Sequence, residues 1–241
     1  MLIECRTDKG KIRDVNEDYI TVFRTNKYSL IIVADGMGGH NAGEVASKLA
    51  SIGIRDFVAE NFNKYEDIEE LVRDAVLNAN KIVYEKSQEN NEYIGMGTTI
   101  TCCLIYGSDL YFGHVGDSRA YVINKNEIKK ITEDHSYVQE LVKMGSITEN
   151  EALAHPQRNL ITRAIGIEEY VVVDTKHEAF SIDDYILLCT DGLTCYLNND
   201  EIRDIVLEHG LSSVDYFINI ANERGGSDNI SVIVAKRGDE Q

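Results

Sequence analysis

The chain contains 241 residues, of which 43% are hydrophobic and 27% are charged, a composition typical of a folded globular domain. Its 41 acidic and 24 basic residues give a formal net charge of −17, which argues against nucleic acid or an anionic membrane as a partner. The N-terminal stretch lacks an apolar signal-peptide core, and no run reaches the ~18 apolar residues of a membrane span. Five cysteines without CxxC spacing fit reduced thiols. We therefore expect a cytoplasmic protein with no membrane or nucleic-acid partner.

A single domain covering residues 1–241 is expected, because the chain has one proline and no linker-like stretch. The spacing of apolar residues predicts amphipathic helices over 44–57 and 68–83. Strand-like runs then follow in close succession, separated by short turns such as "YGSD" and "NKN". Strands joined by such turns pair antiparallel, since a parallel crossover needs about a dozen residues. The pattern therefore predicts antiparallel pairing and argues against a Rossmann-type parallel sheet.

A polar stretch at about 134–165 interrupts the strands and has a weak helical pattern over 138–144. We interpret it as a flap-like insertion, which is either a lid over a site or an ordinary surface loop. Strands resume at "YVVVD" and "DYILLCTDG", helices follow at 199–208 and 214–223, and "NISVIVAK" forms the last strand.

Aspartates recur at the ends of the predicted strands. Asp35, Asp117 and Asp191 each follow an apolar run, and Asp228 precedes one. One Asp-Gly is an ordinary turn signal, but the recurrence indicates that several carboxylates meet at one edge. Converging carboxylates raise one another's pKa unless a cation neutralises them. The pattern therefore predicts a metal site.

The residue types at these positions favour a hard cation and a phosphoryl substrate. Oxygen ligands suit Mg²⁺ or Mn²⁺, and no His/Cys cluster competes for zinc. Gly36 has no side chain, so its carbonyl can lie close to an ion. Two such ions would generate a hydroxide and clamp a phosphoryl group. Arg13 offers a planar fork for phosphate oxygens, in a segment that also contains Glu17 and Asp18.

Seven motifs occur in order along the chain: "RDVNEDY", "ADGMGGH" with "GEVAS", "GTT", "VGDSRAY", "TRAIG", "CTDGL" and "SDNISVIV". Across about 220 residues, this series resembles the metal-dependent type 2C Ser/Thr protein phosphatases, most closely their bacterial branch. The resemblance implies an α+β fold, a four-layer α-β-β-α sandwich of two antiparallel sheets flanked by helix pairs. It also implies two Mn²⁺ or Mg²⁺ ions in a cleft at one end, with a third ion in some bacterial members.

The resemblance assigns roles to individual residues of this sequence. Asp35 matches the carboxylate that bridges the two ions, and the Gly36 carbonyl matches a ligand of one of them. Asp191 and Asp228 match ligands of the other ion.

Further positions match groups around these ligands. Glu17 and Asp18 match acidic residues that act mostly through metal-bound water. Asp117, with Asp191, matches the third metal site, and Arg13 matches the phosphate-binding arginine.

The sequence departs from animal members of the family, which have a histidine directly after the Asp-Gly. Met37 occupies that position here, and His40 lies three residues later. A serine leaving group needs a proton, which would come from His40 or from a metal-bound water; we favour the water. No motif surrounds His114, His135 or His155, and we expect these histidines to be structural.

Our hypothesis is a phosphatase acting on phosphoserine and phosphothreonine, with a metal-bridging hydroxide as nucleophile and a cytoplasmic Ser/Thr protein kinase as its opponent. Phosphorylated proteins are the expected partners, and a monomer is the default state. A second hypothesis is a dedicated regulator that dephosphorylates a partner-switching factor. Further alternatives are a catalytically dead binding module and a calcium-binding module, although the EF-hand pattern is absent.

Overall fold

The computed structural model describes residues 1–38 and 42–238. The strands in these ranges are β1 (Leu2–Asp8), β2 (Asp18–Arg24), β3 (Tyr28–Met37), β4 (Gly97–Thr98), β5 (Ile100–Tyr106), β6 (Asp109–Val115), β7 (Arg119–Ile123), β8 (Ile128–Lys130), β9 (Asp174–Ala179), β10 (Tyr185–Cys189) and β11 (Ile230–Lys236). The helices are α1 (Ala42–Asn61), α2 (Ile68–Ser87), α3 (Tyr137–Lys143), α4 (Glu149–Leu153), α5 (Asp191–Thr194), α6 (Asn199–His209) and α7 (Ser213–Glu223). None of these helices is both long enough and apolar enough to cross a membrane.

The strands form two sheets that pack face to face. The first sheet has the order β1-β11-β10-β7-β8, and the second has the order β2-β3-β5-β6-β9, with β4 added beside β3. All the pairings are antiparallel. Helices α1 and α2 cover the outer face of the second sheet, and α5 to α7 cover that of the first. The predicted α+β, four-layer sandwich is confirmed.

The apolar run in β3 shows why these layers form. Leu30 and Ile32 pack under α1 and α2, whereas Ile31 and Val33 point into the layer between the two sheets. Successive side chains of a strand point to opposite faces, so a strand covered on both sides is apolar throughout. Each fully buried side chain of this size contributes about 1.5–3 kcal/mol relative to exposure.

The first two helices follow the predicted periodicity and run slightly longer. Helix α2 begins after Asp67, whose side chain accepts hydrogen bonds from the backbone amides of Glu69 and Glu70, satisfying donors that have no partner within the helix. Helices α1 and α2 approach closely at Gly53, where an added Cβ would lie 3.0 Å from Cδ1 of Ile82.

The strand predicted at 170–174 is wrong, because β9 begins only at Asp174. Alternate side chains before Asp174 do pack against the core, as the pattern indicated. However, Asp174 pairs with His114, and β6 ends one residue later at Val115. The preceding residues therefore have no neighbouring β6 strand with which to form a ladder.

Residues 134–165, hereafter the flap, leave the sandwich between β8 and β9. Helix α3 matches the weak pattern in the sequence, and Ser136 caps it by accepting from the Gln139 amide. Helix α4 was not predicted; its start is fixed by a reciprocal capping box between Thr148 and Glu151.

Candidate metal centre

Carboxylates from both sheets meet at one end of the sandwich. Asp18 opens β2 and lies opposite Asp35 of β3 in the antiparallel register. Three others lie just outside β6, β10 and β11. Together they form the acidic cluster: Asp18, Asp35, Asp117, Asp191 and Asp228. The charges of the other four members all raise the pKa of Asp35, so the predicted convergence occurs.

Local structure at two of these residues differs from the predicted strand ends. Strand β3 continues past Asp35, because Gly36 and Met37 pair with β4. Asp191 is the first residue of the short helix α5 rather than part of an open turn. Both carboxylates are thus placed by hydrogen-bonded backbone, which fixes their direction more firmly than a loop would.

The acidic cluster contains more negative charge than its surroundings balance. Burial, followed by repulsion from neighbouring aspartates, raises the pKa of Asp191 to about 6 and that of Asp117 to about 8. Burial also raises the pKa of Asp18 to about 7, although Thr190 donates a hydrogen bond to it. The pKa of Asp35 is raised well above its ordinary value, again mainly by burial. Without a cation, several of these carboxyls therefore retain a proton near neutral pH.

Two carboxylate oxygens of the cluster have no hydrogen-bond partner in the part of the chain that the structure describes. Oδ1 of Asp18 and Oδ1 of Asp191 are both buried and accept no hydrogen bond from the described residues. The hydroxyl of Thr190 donates a hydrogen bond to the other oxygen of Asp18, with 2.9 Å between Oγ1 and Oδ2. A buried acceptor left without a partner is costly unless a ligand or ion fills the role.

The backbone around Gly36 leaves no room for a side chain. A Cβ on Gly36 would lie 2.2 Å from the Gly43 carbonyl oxygen and 2.5 Å from that of Glu17. The Glu17 carbonyl also accepts a hydrogen bond from Ser47 at 2.6 Å, which ties the start of α1 to this point. Burial raises the pKa of Glu17, and its side chain lies beside Gly43.

Arg13 lies at the edge of the acidic cluster and is paired with it. Its Nη2 donates to Oδ2 of Asp228 at 2.8 Å, and about half of its side chain is exposed. The loop before it is fastened to the loop before β11, because the Lys11 amide donates to the Gly226 carbonyl at 2.7 Å. Gly10 has φ +78° and packs against the Asp228 carbonyl, so the two loops are in direct contact.

Metal binding fits this arrangement although no complete cage is formed in advance. Within residues 1–38 and 42–238, no three His, Cys, Asp or Glu side chains already converge as metal ligands. Asp228 is turned towards Arg13, and the remaining carboxylates repel one another. The unpartnered buried oxygens and the all-oxygen donor set suit Mg²⁺ or Mn²⁺. A cation would replace both the missing hydrogen bonds and the missing positive charge.

Sequence reasoning missed several residues that support the site. Thr190 lies in the quoted "CTDGL" and Asn229 in "SDNISVIV", but neither was assigned a role. The Asn229 side chain accepts from the Glu17 amide at 2.8 Å and donates to the Val15 carbonyl at 3.0 Å. The available signal was the polar residue directly beside Asp191 and the one directly beside Asp228.

The structure bears differently on the histidines. His40 lies outside the described residues. His114 is fully buried, with Thr101 Oγ1 at 2.9 Å from Nδ1 and the Glu133 carbonyl at 3.0 Å from Nε2, in keeping with a structural role. Met37 follows Gly36 and is half-buried; it supplies no proton donor.

Comparison with known proteins agrees with this geometry. A family model described as "Protein phosphatase 2C" matches residues 11–233. The serine/threonine phosphatase stp of Listeria welshimeri is 40% identical over 242 residues, covering 98% of this chain and 96% of the relative.

Solved structures match as well. A crystal structure of a bacterial serine phosphatase has a TM-score of 0.92 at 40% identity and covers 100% of both chains. The catalytic domain of the serine threonine protein phosphatase PstP, in complex with two manganese ions, has a TM-score of 0.86 at 33% identity and covers 98% of this chain and 97% of that one. With the ordered motifs and the four-layer sandwich, these matches show that the chain belongs to the protein phosphatase 2C family, in its bacterial branch.

Proposed function

We propose that this protein hydrolyses phosphoserine and phosphothreonine in proteins, with a hydroxide bridging two Mn²⁺ or Mg²⁺ ions as nucleophile, and that it opposes a Ser/Thr protein kinase in the cytoplasm. Family membership makes the chain a metal-dependent phosphoprotein phosphatase. The observation that supports the finer mechanism is the acidic cluster: two of its buried oxygens accept no hydrogen bond from the described residues, and its member Asp228 is paired with Arg13.

Four groups are proposed to hold the two ions: Asp35 between them, the Gly36 carbonyl on one side, and Asp191 and Asp228 on the other. Glu17 and Asp18 would act through bound water, and Asp117 would hold a third ion. When bound, the ions supply the activated water and neutralise the phosphoryl oxygens. The PstP match with two manganese ions supports this number of principal sites.

Arg13 is proposed to bind the phosphate. Its guanidinium now faces Asp228 at the mouth of the cluster, where it is half-exposed and can bond two phosphate oxygens at once. Asp228 thereby orients Arg13 for an anion entering from outside.

The leaving serine or threonine oxygen needs a proton, and the donor is either His40 or a water held in the site. Met37 cannot donate one. We favour the water because Arg13 and Asp228 are both partly exposed, so solvent can reach this edge of the cluster.

Phosphorylated proteins are the proposed substrates, and a monomer is the proposed active form. The groups assigned to ions and phosphate all come from a single chain, so no second copy is required to complete the site. A charge of −17 disfavours strongly acidic targets unless Arg13 and bound cations reverse the field locally.

The test is hydrolysis of a phosphothreonine peptide and of p-nitrophenyl phosphate by the wild type, with EDTA, Mn²⁺, Mg²⁺ or Ca²⁺. Turnover with Mn²⁺ or Mg²⁺ and loss of turnover in EDTA are expected. If the protein stays inert with every metal while calorimetry shows that it binds the peptide, it is a binding module and the proposal is wrong.

Arg13→Ala tests the phosphate-binding role. Loss of a bidentate contact should lower kcat/KM at least about tenfold, the equivalent of one charge-assisted hydrogen bond of about 1.4 kcal/mol or more. Inhibition by inorganic phosphate should weaken in parallel. Arg6→Ala is the matched control, because Arg6 pairs with Asp215 at 2.7 Å and is half-exposed without belonging to the cluster. Equal effects of both substitutions would contradict the assignment.

A further inference from the structure

The two ends of the flap meet at His135. The backbone amide of Thr162 donates to the His135 carbonyl at 2.8 Å, and the neighbouring residues Ser136 and Ile161 form an antiparallel bridge. The entry and the exit of the flap are therefore hydrogen-bonded to each other next to His135.

His135 is also bonded twice to the turn that precedes Asp117. Its amide donates to the Gly116 carbonyl at 2.7 Å, and its Nδ1 accepts from the Gly116 amide at 3.0 Å. Gly116 has φ +115°, and a Cβ there would lie 2.5 Å from the Thr99 side chain. The turn thus packs tightly on one side and is held by His135 through both of its backbone polar groups.

The second ring nitrogen of His135 reaches Asp174, the first residue of β9, whose carboxylate also binds Arg163 at the exit of the flap. Nε2 lies 3.1 Å from Oδ2 of Asp174, and Arg163 donates to Oδ1 of the same carboxylate at 2.9 Å. Nη1 of Arg163 also lies 3.1 Å from Nε2. Nδ1 accepts from the Gly116 amide, so the single proton of the neutral ring is on Nε2, and of the two neighbours only the Asp174 carboxylate can accept it. Burial lowers the pKa of His135, which keeps the ring neutral and this tautomer in place.

We propose that His135 is a positioning residue with two separate functions. Its Nδ1 holds the Gly116–Asp117 turn, so the metal affinity of Asp117 depends on the Nδ1 contact. Its Nε2 holds the exit of the flap, so the order of the flap depends on the Nε2 contact. This inference rests on the proposed function, because it takes Asp117 as a ligand. Loss of the Nδ1 contact and loss of the Nε2 contact should therefore have different effects.

Two substitutions separate these contacts. In His135→Asn, Oδ1 can replace Nδ1 as acceptor for the Gly116 amide, but the side chain is too short to reach Asp174. In His135→Gln, the terminal amide can donate to Asp174, but no acceptor remains near Gly116. Wild type and both variants would be titrated with Mn²⁺ by calorimetry, and flap order measured by trypsin cleavage at the exposed Lys143 and Arg158.

His135→Gln should weaken the lowest-affinity Mn²⁺ site by about tenfold or more, the usual effect of losing a group that orients a ligand, with flap cleavage close to wild type. His135→Asn should keep Mn²⁺ affinity within about threefold of wild type, while flap cleavage accelerates at least about fivefold through local opening. Asp174→Ala, which frees Nε2 without touching Gly116, should behave like His135→Asn and replaces it if that variant does not fold.

His177→Asn is the matched control, because His177 bonds Asp109 at 2.7 Å and is about half exposed on β9; neither readout should change. If both His135 variants weaken metal binding and flap order equally, or change neither, the positioning role is wrong while the phosphatase proposal stands. If wild type binds no Mn²⁺, both proposals are wrong.

Discussion

Two groups of aspartates lie next to each other at the same end of the sandwich, and only one of them is neutralised by the protein. Asp134 accepts from both Arg119 and Lys130, and Asp174 accepts from His135 and Arg163. Burial raises the pKa of Asp134, but Arg119 and Lys130 outweigh it and the net pKa is lowered. In the acidic cluster the net pKa values of Asp18, Asp35, Asp117 and Asp191 are raised instead.

The contrast is sharpest between Asp117 and Asp134. Both lie near Arg119, and the charge of Arg119 lowers the pKa of each. Its guanidinium, however, bonds only Asp134, with Nη2 at 2.6 Å from Oδ2, and Asp117 is left with a pKa of about 8. A paired carboxylate stabilises the fold, whereas an unpaired cluster in a crevice indicates a site for a cation.

Asp35→Asn should have the largest effect on activity. It removes the carboxylate that every other cluster member repels, so metal-dependent turnover should fall at least about 100-fold. The metal-free protein should become more stable, by on the order of 1–2 kcal/mol, because an amide, unlike the Asp35 carboxyl with its raised pKa, does not have to take up a proton on folding. Urea unfolding in EDTA measures this gain; a loss of stability would contradict the account.

Asp134→Asn should change stability in the opposite direction. The substitution leaves Arg119, whose side chain is 25% exposed, without its carboxylate, and removal of one partner from such a pair should cost about 2–4 kcal/mol. The same urea titration checks this value. An unchanged or increased stability would show that the paired and unpaired aspartates do not differ in the way described.

The two groups should also respond differently to pH. A carboxyl whose folded pKa is raised holds its proton after the unfolded chain has lost it, so stability falls as pH rises towards the folded pKa. Buried His114 has a pKa of about 4, and the pKa of His135 is also lowered. These two histidines make the fold more stable as pH rises, but only below about pH 6.5.

Between about pH 6.5 and pH 8 the acidic cluster therefore dominates, through Asp18 and Asp117 with pKa values of about 7 and 8. In EDTA the free energy of unfolding should fall by about 1 kcal/mol or more across this window, and Asp117→Asn should reduce the slope. Saturating Mn²⁺ should abolish this dependence of stability on pH. A stability that rises with pH in EDTA would contradict the raised pKa values.

Much of the fold was accessible from the sequence because it depends on local pattern. The run Leu30–Ala34 is apolar because β3 is covered on both faces, and the short turns fix the antiparallel neighbours. The segment before Asp174 shows the limit: its alternation is strand-like, but whether it pairs depends on where β6 ends.

The candidate site was predictable in its residue types and less so in its contacts. Recurrent strand-end aspartates indicated a cluster, and the family resemblance supplied individual roles. The sequence singled out Asp117, but nothing in it showed that Asp134 would be neutralised, since that depends on which carboxylate the Arg119 fork faces. The two-sided bonding of His135 was equally hidden, because its partners lie 19 and 39 residues away.

The central claim is that the acidic cluster holds protons which a metal ion displaces. Calorimetric titration of the metal-free protein with Mn²⁺ at pH 7, in PIPES, MOPS and ACES, measures proton release from the dependence of the heat on buffer ionisation enthalpy. We predict release of about one proton or more, because carboxyls with raised pKa values must ionise to bind the ions. Binding with no proton release would show that the cluster is already ionised and would contradict the account.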